Sequence, residues 1–196
     1  MSNLSAQSDH QLVELYANGT DEAFDELLAR HQERIFAYIM RLVHDENRAN
    51  DIFQDTFIKA ITNMRSGKYQ STGQFGAWLM RIAHNVTVDH ARRNPNKPNM
   101  TEDVQTSLIN NSIQMSEASC EEQILHLCDS QTLHDLVDRL PEAQREIVHL
   151  RFWEDLSFKE ISDITGVGIN TALGRMHYAL GNLRRIAGKY QLDIAI

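Results

Sequence analysis

The sequence predicts an all-α protein of two small helical domains joined by a flexible linker, the second domain containing a helix-turn-helix. Three observations predict it. Apolar residues recur three and four apart in stretch after stretch, the spacing of one helix face. A tract rich in Asn, Ser, Thr and Gln without sustained periodicity follows Asn94-Pro95, and reads as an acidic linker over 95–122 between domains at 1–94 and 123–196. Finally, residues 156–185, LSFKEISDITGVGINTALGRMHYALGNLRR, set a short helix, a glycine-bearing turn and a longer helix in the order of a helix-turn-helix.

Composition supports this and narrows the function. A chain of 196 residues, 42% hydrophobic, suits one domain or two small ones and excludes wholesale disorder. The N-terminus shows no signal-peptide pattern, no stretch nears the ~20 apolar residues of a membrane span, and two cysteines are too few for a disulfide framework. A soluble, cytoplasmic protein is expected. The net charge of −8 argues against a simple DNA-coating protein, but it is unevenly spread. Residues 61–93 hold five basic groups against one acidic, and residues 170–196 four against one. Two basic islands in an acidic chain fit local nucleic-acid contacts with poor binding to random DNA.

Taken in order, Asp9 is placed to cap a first helix ending near Ala17, with Gly19 as its stop. Thr20 caps the next, where Asp21 and Glu22 suit the positive helix end. Phe24, Leu27, Leu28, His31, Ile35, Tyr38, Ile39 and Leu42 form its apolar stripe, so His31 reads as packed or hydrogen-bonded rather than as a ligand. Asp45 opens a third helix to about Arg65, with Ala49, Ile52, Phe53, Thr56, Ala60, Ile61 and Met64 inward. Its outer face carries Asp51, Gln54, Asp55 and Ile58, which reads either as a docking surface for a basic partner or as a solvated face.

Residues 66–74 form a polar loop with Lys68 and Tyr69. Phe75 to Arg93 then reads as a helix whose apolar face is Phe75, Trp78, Leu79, Ile82, Ala83 and Val86. Arg81, His84, Asn85, Asp89, Arg92 and Arg93 lie off that face or at its margins; basic and amide groups beside an aromatic-bearing loop suit the gripping of unpaired bases. His84, Asp89 and His90 match no zinc spacing, nor do Cys120, His126, Cys128 and His134, where packed thiols are expected. Neither metal nor cofactor is expected. Ile124, Leu127, Leu133, Leu136, Val137 and Leu140 look helical, and Pro141 suits the first turn of the next helix.

In the helix-turn-helix, Ser157 and Glu160 have capping-box spacing, and Phe158, Ile161 and Ile164 share one side. Gly166 and Gly168 supply the turn. The second helix turns Ala172, Met176, Ala179, Leu180 and Leu183 inward and Asn170, Gly174, His177, Tyr178, Gly181 and Arg185 outward. Glycine inside a helix costs about 1 kcal/mol relative to alanine, so Gly174 and Gly181 require a reason such as close approach to DNA or to a partner. The residues alone fit either a recognition helix in a major groove or a bundle hairpin with a solvated basic end.

Four segments in this order resemble a known family, the extracytoplasmic-function sigma factors of bacterial RNA polymerase. AFDELLARHQERIFAYIMRLV is similar to the opening helix of their first domain and ANDIFQDTFIKAI to the segment that docks on polymerase. FGAWLMRIAHNVTVDHARR is similar to the promoter-melting helix, and LPEAQREIVHLRFWEDLSFKEISDITG to the entry of the second domain. The resemblance covers nearly the whole chain. It implies a dissociable specificity subunit directing promoter recognition, melting and initiation for a regulon, with no catalytic site of its own. It implies that Asp51, Gln54, Asp55 and Ile58 meet the clamp helices of the largest core subunit. Lys68, Tyr69, Arg81, Asn85, Arg92 and Arg93 would then read a minus-ten element, and Asn170, Thr171, Leu173, Gly174, Arg175, His177, Tyr178 and Arg185 a minus-thirty-five element. An anti-sigma factor is an implied partner, and the free chain is expected to be a monomer without membrane insertion.

One departure stands out. After Thr171 the family commonly carries a basic residue and a serine, where this chain has Leu173 and Gly174. Leucine makes no bidentate contact to guanine but touches a thymine methyl, which points to an A·T-rich minus-thirty-five element. Two other functions compete. A stand-alone helix-turn-helix regulator would dimerise and bind duplex DNA tightly without polymerase, whereas an interaction module would sequester a regulator through its acidic faces. No nucleophile–base pair, phosphate loop or metal set favours an enzyme.

Overall fold

The computed structural model describes residues 4–69, 74–93 and 130–189, with the side chains of 130–132 and 189 outside that description. The chain divides into two compact units, Met1–Asn99 and Met100–Ile196. The described residues are helical or irregular, with no strand among them. The expected linker at 95–122, both expected domain limits, and Cys120, Ile124, His126, Leu127 and Cys128 lie outside the described residues.

The first unit holds a short 3₁₀ turn (Leu4–Ala6) and helices α1 (Asp9–Ala17), α2 (Asp21–Val43), α3 (Glu46–Arg65) and α4 (Phe75–Arg93). Ser8, not Asp9, caps α1. Its hydroxyl accepts from the Gln11 N–H while the Gln11 side chain reaches back to the Ser8 N–H, a full capping box. Asp9 is drawn elsewhere: its carboxylate accepts from Arg30 at 3.0 Å and from His31 Nε2 at 2.8 Å. Arg30 also donates to the carbonyls of Ser5 and Gln7 and pairs with Glu26, tying the 3₁₀ turn and α1 to α2. Burial disfavours the Arg30 charge, but the bonds to Glu26 and Asp9 outweigh it and raise its pKa. His31 is therefore a packed, hydrogen-bonded histidine, as its place on the apolar stripe implies.

Thr20 stands at the α2 N-cap without a side-chain cap bond, whereas Asp45 caps α3 by accepting from the Arg48 N–H. Helix α2 is the spine of this unit, packing against α1, α3 and α4 through Leu27, Ile35, Tyr38 and Ile39. Each of the three aliphatic side chains, once removed from water, contributes about 1.5–3 kcal/mol. The inward face of α3 is wider than expected: Phe57 is buried as well, against Phe53 and Phe24, because α1, α2 and α4 all pack on this helix.

In the second unit α5 (Ser130–Val137), α6 (Glu142–Phe152), α7 (Phe158–Thr165) and α8 (Ile169–Lys189) follow one another, and α5, α6 and α7 all pack on α8. Pro141 is the N-cap of α6 rather than part of its first turn. Ser157 and Glu160 form the expected capping box of α7. Gly166 ends α7 in the left-handed region at φ +72°, which an L side chain adopts only at a cost. Phe158, Ile161, Ile164, Ala172, Met176, Ala179, Leu180 and Leu183 are all buried together, so the two helices share one core as the spacing implies.

Candidate nucleic-acid interface

Three exposed surfaces collect the candidate residues. The first is a stripe on α3. Asp51, Gln54 and Ile58 are exposed and Asp55 is half exposed, and the four follow one another along one face. Ile58 is 60% exposed, the most exposed large apolar side chain among the described residues. An isoleucine left in water at the end of an acidic stripe is suited to a partner, because a partner would take it out of water. Asp55 also accepts from His90 Nε2 at 2.8 Å, and Lys59 lies 3.5 Å from Asp89, so two side-chain bridges join α3 to α4.

The second surface is the outer side of α4. Arg81, Asn85 and Arg92 are exposed at positions four and seven apart, which puts them on one stripe, with Arg93 exposed beside it. Leu79, Met80, Ala83 and Val86 fix that helix against the core. His84 does not belong with the stripe. It is buried, and its Nδ1 shares a hydrogen bond of 3.1 Å with the Tyr38 hydroxyl. The reason is non-local: a polar partner on α2 makes an inward histidine affordable.

At the α4 N-terminus the rings of Tyr69, Phe75, Trp78 and His31 touch in succession. Tyr69 meets Trp78 edge-on at 4.7 Å and Phe75 at 5.8 Å, and Phe75 meets His31 at 5.2 Å. Phe75 is buried and Trp78 and Tyr69 partly so. Lys68 is exposed beside them, while residues 70–73 of the loop lie outside the described residues. The arrangement offers an aromatic platform at the mouth of a basic helix face, chemistry suited to stacking an unpaired base.

The third surface is the outward face of α8. Asn170, Tyr178 and Arg185 are exposed, and Thr171, Leu173, Gly174, Arg175 and His177 are partly so. His177 and Tyr178 meet edge-on at 5.8 Å. A Cβ built on Gly181 meets nothing within 4 Å, so no packing within its own unit explains that glycine. Behind this face the turn is braced by Ser162, whose hydroxyl donates to the Val167 carbonyl at 2.7 Å, and α8 is keyed to α6 by an Asn182–Gln144 bond of 2.8 Å. Ile169, 45% exposed at the start of α8, was not among the sequence candidates. An apolar residue next to a turn reads as core, and only its exposure marks it for the surface.

Other titratable groups have structural partners. His134 and His149 both stack on Trp153, at 4.7 and 5.5 Å, and His149 Nδ1 lies 3.7 Å from the buried Glu154. Glu142 has its pKa raised by burial and then by the nearby Glu146, against the opposing pull of Arg145. Among the described residues no group of three or more His, Cys, Asp and Glu side chains is assembled to hold a metal ion. Nor is any described helix long and apolar enough to cross a membrane.

Comparison with known proteins gives the class of both units: the sigma-70 proteins. The sigma-70 region 2 family matches residues 27–96, and the sigma-70 region 4 family residues 136–185. The chain is 32% identical over 180 residues to the RNA polymerase sigma-H factor of Pseudomonas aeruginosa, covering 90% of this chain and 92% of that one. It is 27% identical over 172 residues to the ECF sigma factor SigW of Bacillus subtilis, covering 85% and 90%. Among solved structures, CnrH in complex with the cytosolic domain of CnrY matches with a TM-score of 0.62 at 21% identity, over 93% of this chain and 99% of that one. The sigma factor RpoE of Bartonella quintana, solved with the anti-sigma factor NepR, matches at 0.59 and 20%, over 84% and 96%. The chain belongs to the extracytoplasmic-function sigma factors of RNA polymerase. Its function is accordingly promoter recognition in transcription initiation, as a specificity subunit and not as an enzyme.

Proposed function

We propose a division of labour among the three surfaces. The α3 stripe of Asp51, Gln54, Asp55 and Ile58 docks on the clamp helices of the largest core subunit. The α4 stripe of Arg81, Asn85, Arg92 and Arg93, with Lys68 and Tyr69, captures the minus-ten element as single strand. No fuel is consumed in such melting, so opening must come from binding unstacked bases better than paired ones. Helix α8 reads the minus-thirty-five element from the major groove: Arg175 and Arg185 hold phosphates, Asn170, Thr171, His177 and Tyr178 approach base edges, and Leu173 and Gly174 favour A·T pairs. Residues 1–94 and 123–196 act as the two promoter-facing domains, with 95–122 as an acidic linker between them.

One observation carries this reading: on one small unit, the acidic stripe with its exposed Ile58 and the basic stripe of Arg81, Asn85 and Arg92 lie on different helices, α3 and α4. A protein that only coats DNA has no use for the first, and one that only sequesters a partner has no use for the second. The neighbouring structures hold sigma factors against a cytosolic CnrY domain and NepR, which supports an anti-sigma factor as a regulatory partner of this chain too. The protein acts in the cytoplasm, as a monomer when free.

The test is run-off transcription on fragmented genomic DNA of the source organism, with core polymerase, the chain, and sequencing of RNA 5′ ends. Wild type should select a set of start sites sharing two elements. Arg81→Ala with Asn85→Ala should abolish that set while core binding persists. Start sites unchanged by the double substitution would sink the assignment of α4.

A further inference from the structure

We infer that His90 is a positioning residue for polymerase docking, holding the Asp55 carboxylate in the orientation that the core subunit receives. The inference rests on the α3 docking stripe proposed above. His90 lies on α4, whose outer stripe faces promoter DNA in that proposal, yet its ring turns to α3. A carboxylate only accepts, so the hydrogen in the 2.8 Å contact belongs to His90 Nε2 and points at Asp55 Oδ2. One carboxylate oxygen is thereby held while half of the Asp55 side chain stays exposed to meet a partner.

Asp51 and Gln54, the other polar members of the stripe, are exposed. Asp55 is the member anchored from behind, by a histidine that is itself mostly covered. The neighbouring Val86 and Thr87 are buried, and the Thr87 hydroxyl donates to the Ala83 carbonyl at 2.8 Å, so His90 extends from a fixed turn of helix. Lys59 and Asp89 form a second bridge at 3.5 Å, but both side chains are about half exposed, whereas His90 is mostly covered, and an exposed pair of that length orients little. Fixing a side chain before docking removes the ordering cost from the binding step, which raises affinity without any new contact to the partner. A charge held by a second residue also keeps its direction when the partner approaches.

The experiment measures affinity of the full chain for core RNA polymerase by competition, with thermal unfolding of each variant as a check on folding. His90→Ala should weaken binding by about three- to tenfold, the worth of one immobilised side chain. His90→Gln, whose amide nitrogen can donate to Asp55, should restore it to within about twofold on the same scale. In an Asp55→Ala background, His90→Ala should cost nothing further. Binding that is unchanged or tighter in His90→Ala overturns the inference, as does a loss undiminished without Asp55 or not rescued by glutamine. Charge reversal at Asp51 separates the two levels: if it leaves affinity intact, the docking stripe itself fails, whatever His90 does.

Discussion

The ring of Tyr69 meets the indole of Trp78 edge-on, with 4.7 Å between centroids, at the point where the chain enters helix α4. This contact and the next one, to Phe75, anchor the end of the loop to the core of the first unit. Aromatic pairs of this kind contribute about 0.5–1.5 kcal/mol beyond the area they bury. Tyr69→Ala should therefore leave core polymerase binding unchanged but reduce open-complex formation, read as permanganate reactivity of unpaired thymines. Equal reactivity in wild type and variant would remove Tyr69 from the minus-ten surface.

Gly181 separates stability from function. A Cβ there meets nothing within 4 Å, and glycine is a poor residue for a helix interior. Gly181→Ala should thus raise the unfolding free energy by about 0.5–1 kcal/mol. If the outer face of α8 closely approaches DNA, the same variant should initiate less well at minus-thirty-five-dependent promoters. A variant that is more stable and fully active would show that the glycine serves no interface.

Glu142 gives a pH dependence with a definite sign. Burial and then Glu146 raise its pKa. A carboxyl whose folded pKa exceeds its unfolded value adds stability when protonated, and that contribution is lost as pH rises through the folded value. At neutral pH the charge is a burden, so Glu142→Gln should raise Tm at pH 7. The gain should vanish below about pH 4, where the unfolded carboxyl is protonated too. A lower Tm at pH 7 would mean that the negative charge in the first turn of α6 is worth more through the helix dipole than its burial costs.

Ile169, exposed at the start of α8, is suited to touch a thymine methyl in the major groove. Replacing thymines of the minus-thirty-five element by deoxyuridine deletes those methyls one at a time. At one position initiation by wild type should fall by about fourfold, near the 0.8 kcal/mol of a buried methyl group. Ile169→Ala should be indifferent to the same replacement. If every replacement affects both proteins equally, Ile169 makes no such contact, and Leu173→Ala tested in the same way decides whether Leu173 does.

The helix-turn-helix was legible because its determinants are local. The Ser157–Glu160 box, the Gly166 turn and the buried positions of α8 each depend on residues within a few places in sequence. The misread positions have distant partners. Asp9 looked like a cap because it opens a periodic stretch, but Arg30 and His31 claim its carboxylate and leave the cap to Ser8. His84 fell at the margin of a helical wheel, and only Tyr38, on another helix, makes it an inward residue. Phe57 was missed because one helix face was assumed where three helices pack. The stripes of α3 and α4 were visible as patterns, but the His90–Asp55 bridge between them was not, since nothing in either helix alone selects that pair.

Docking on the core is tested most directly by gel filtration of the full chain with core RNA polymerase. Wild type should co-elute with the core, and charge reversal at both Asp51 and Asp55 should release it while the variant remains folded and its own elution stays unchanged. Co-elution of the reversed variant, or separate elution of both forms, would contradict the account. In either case the exposed stripe of α3 would be a solvated face and not the polymerase-binding surface.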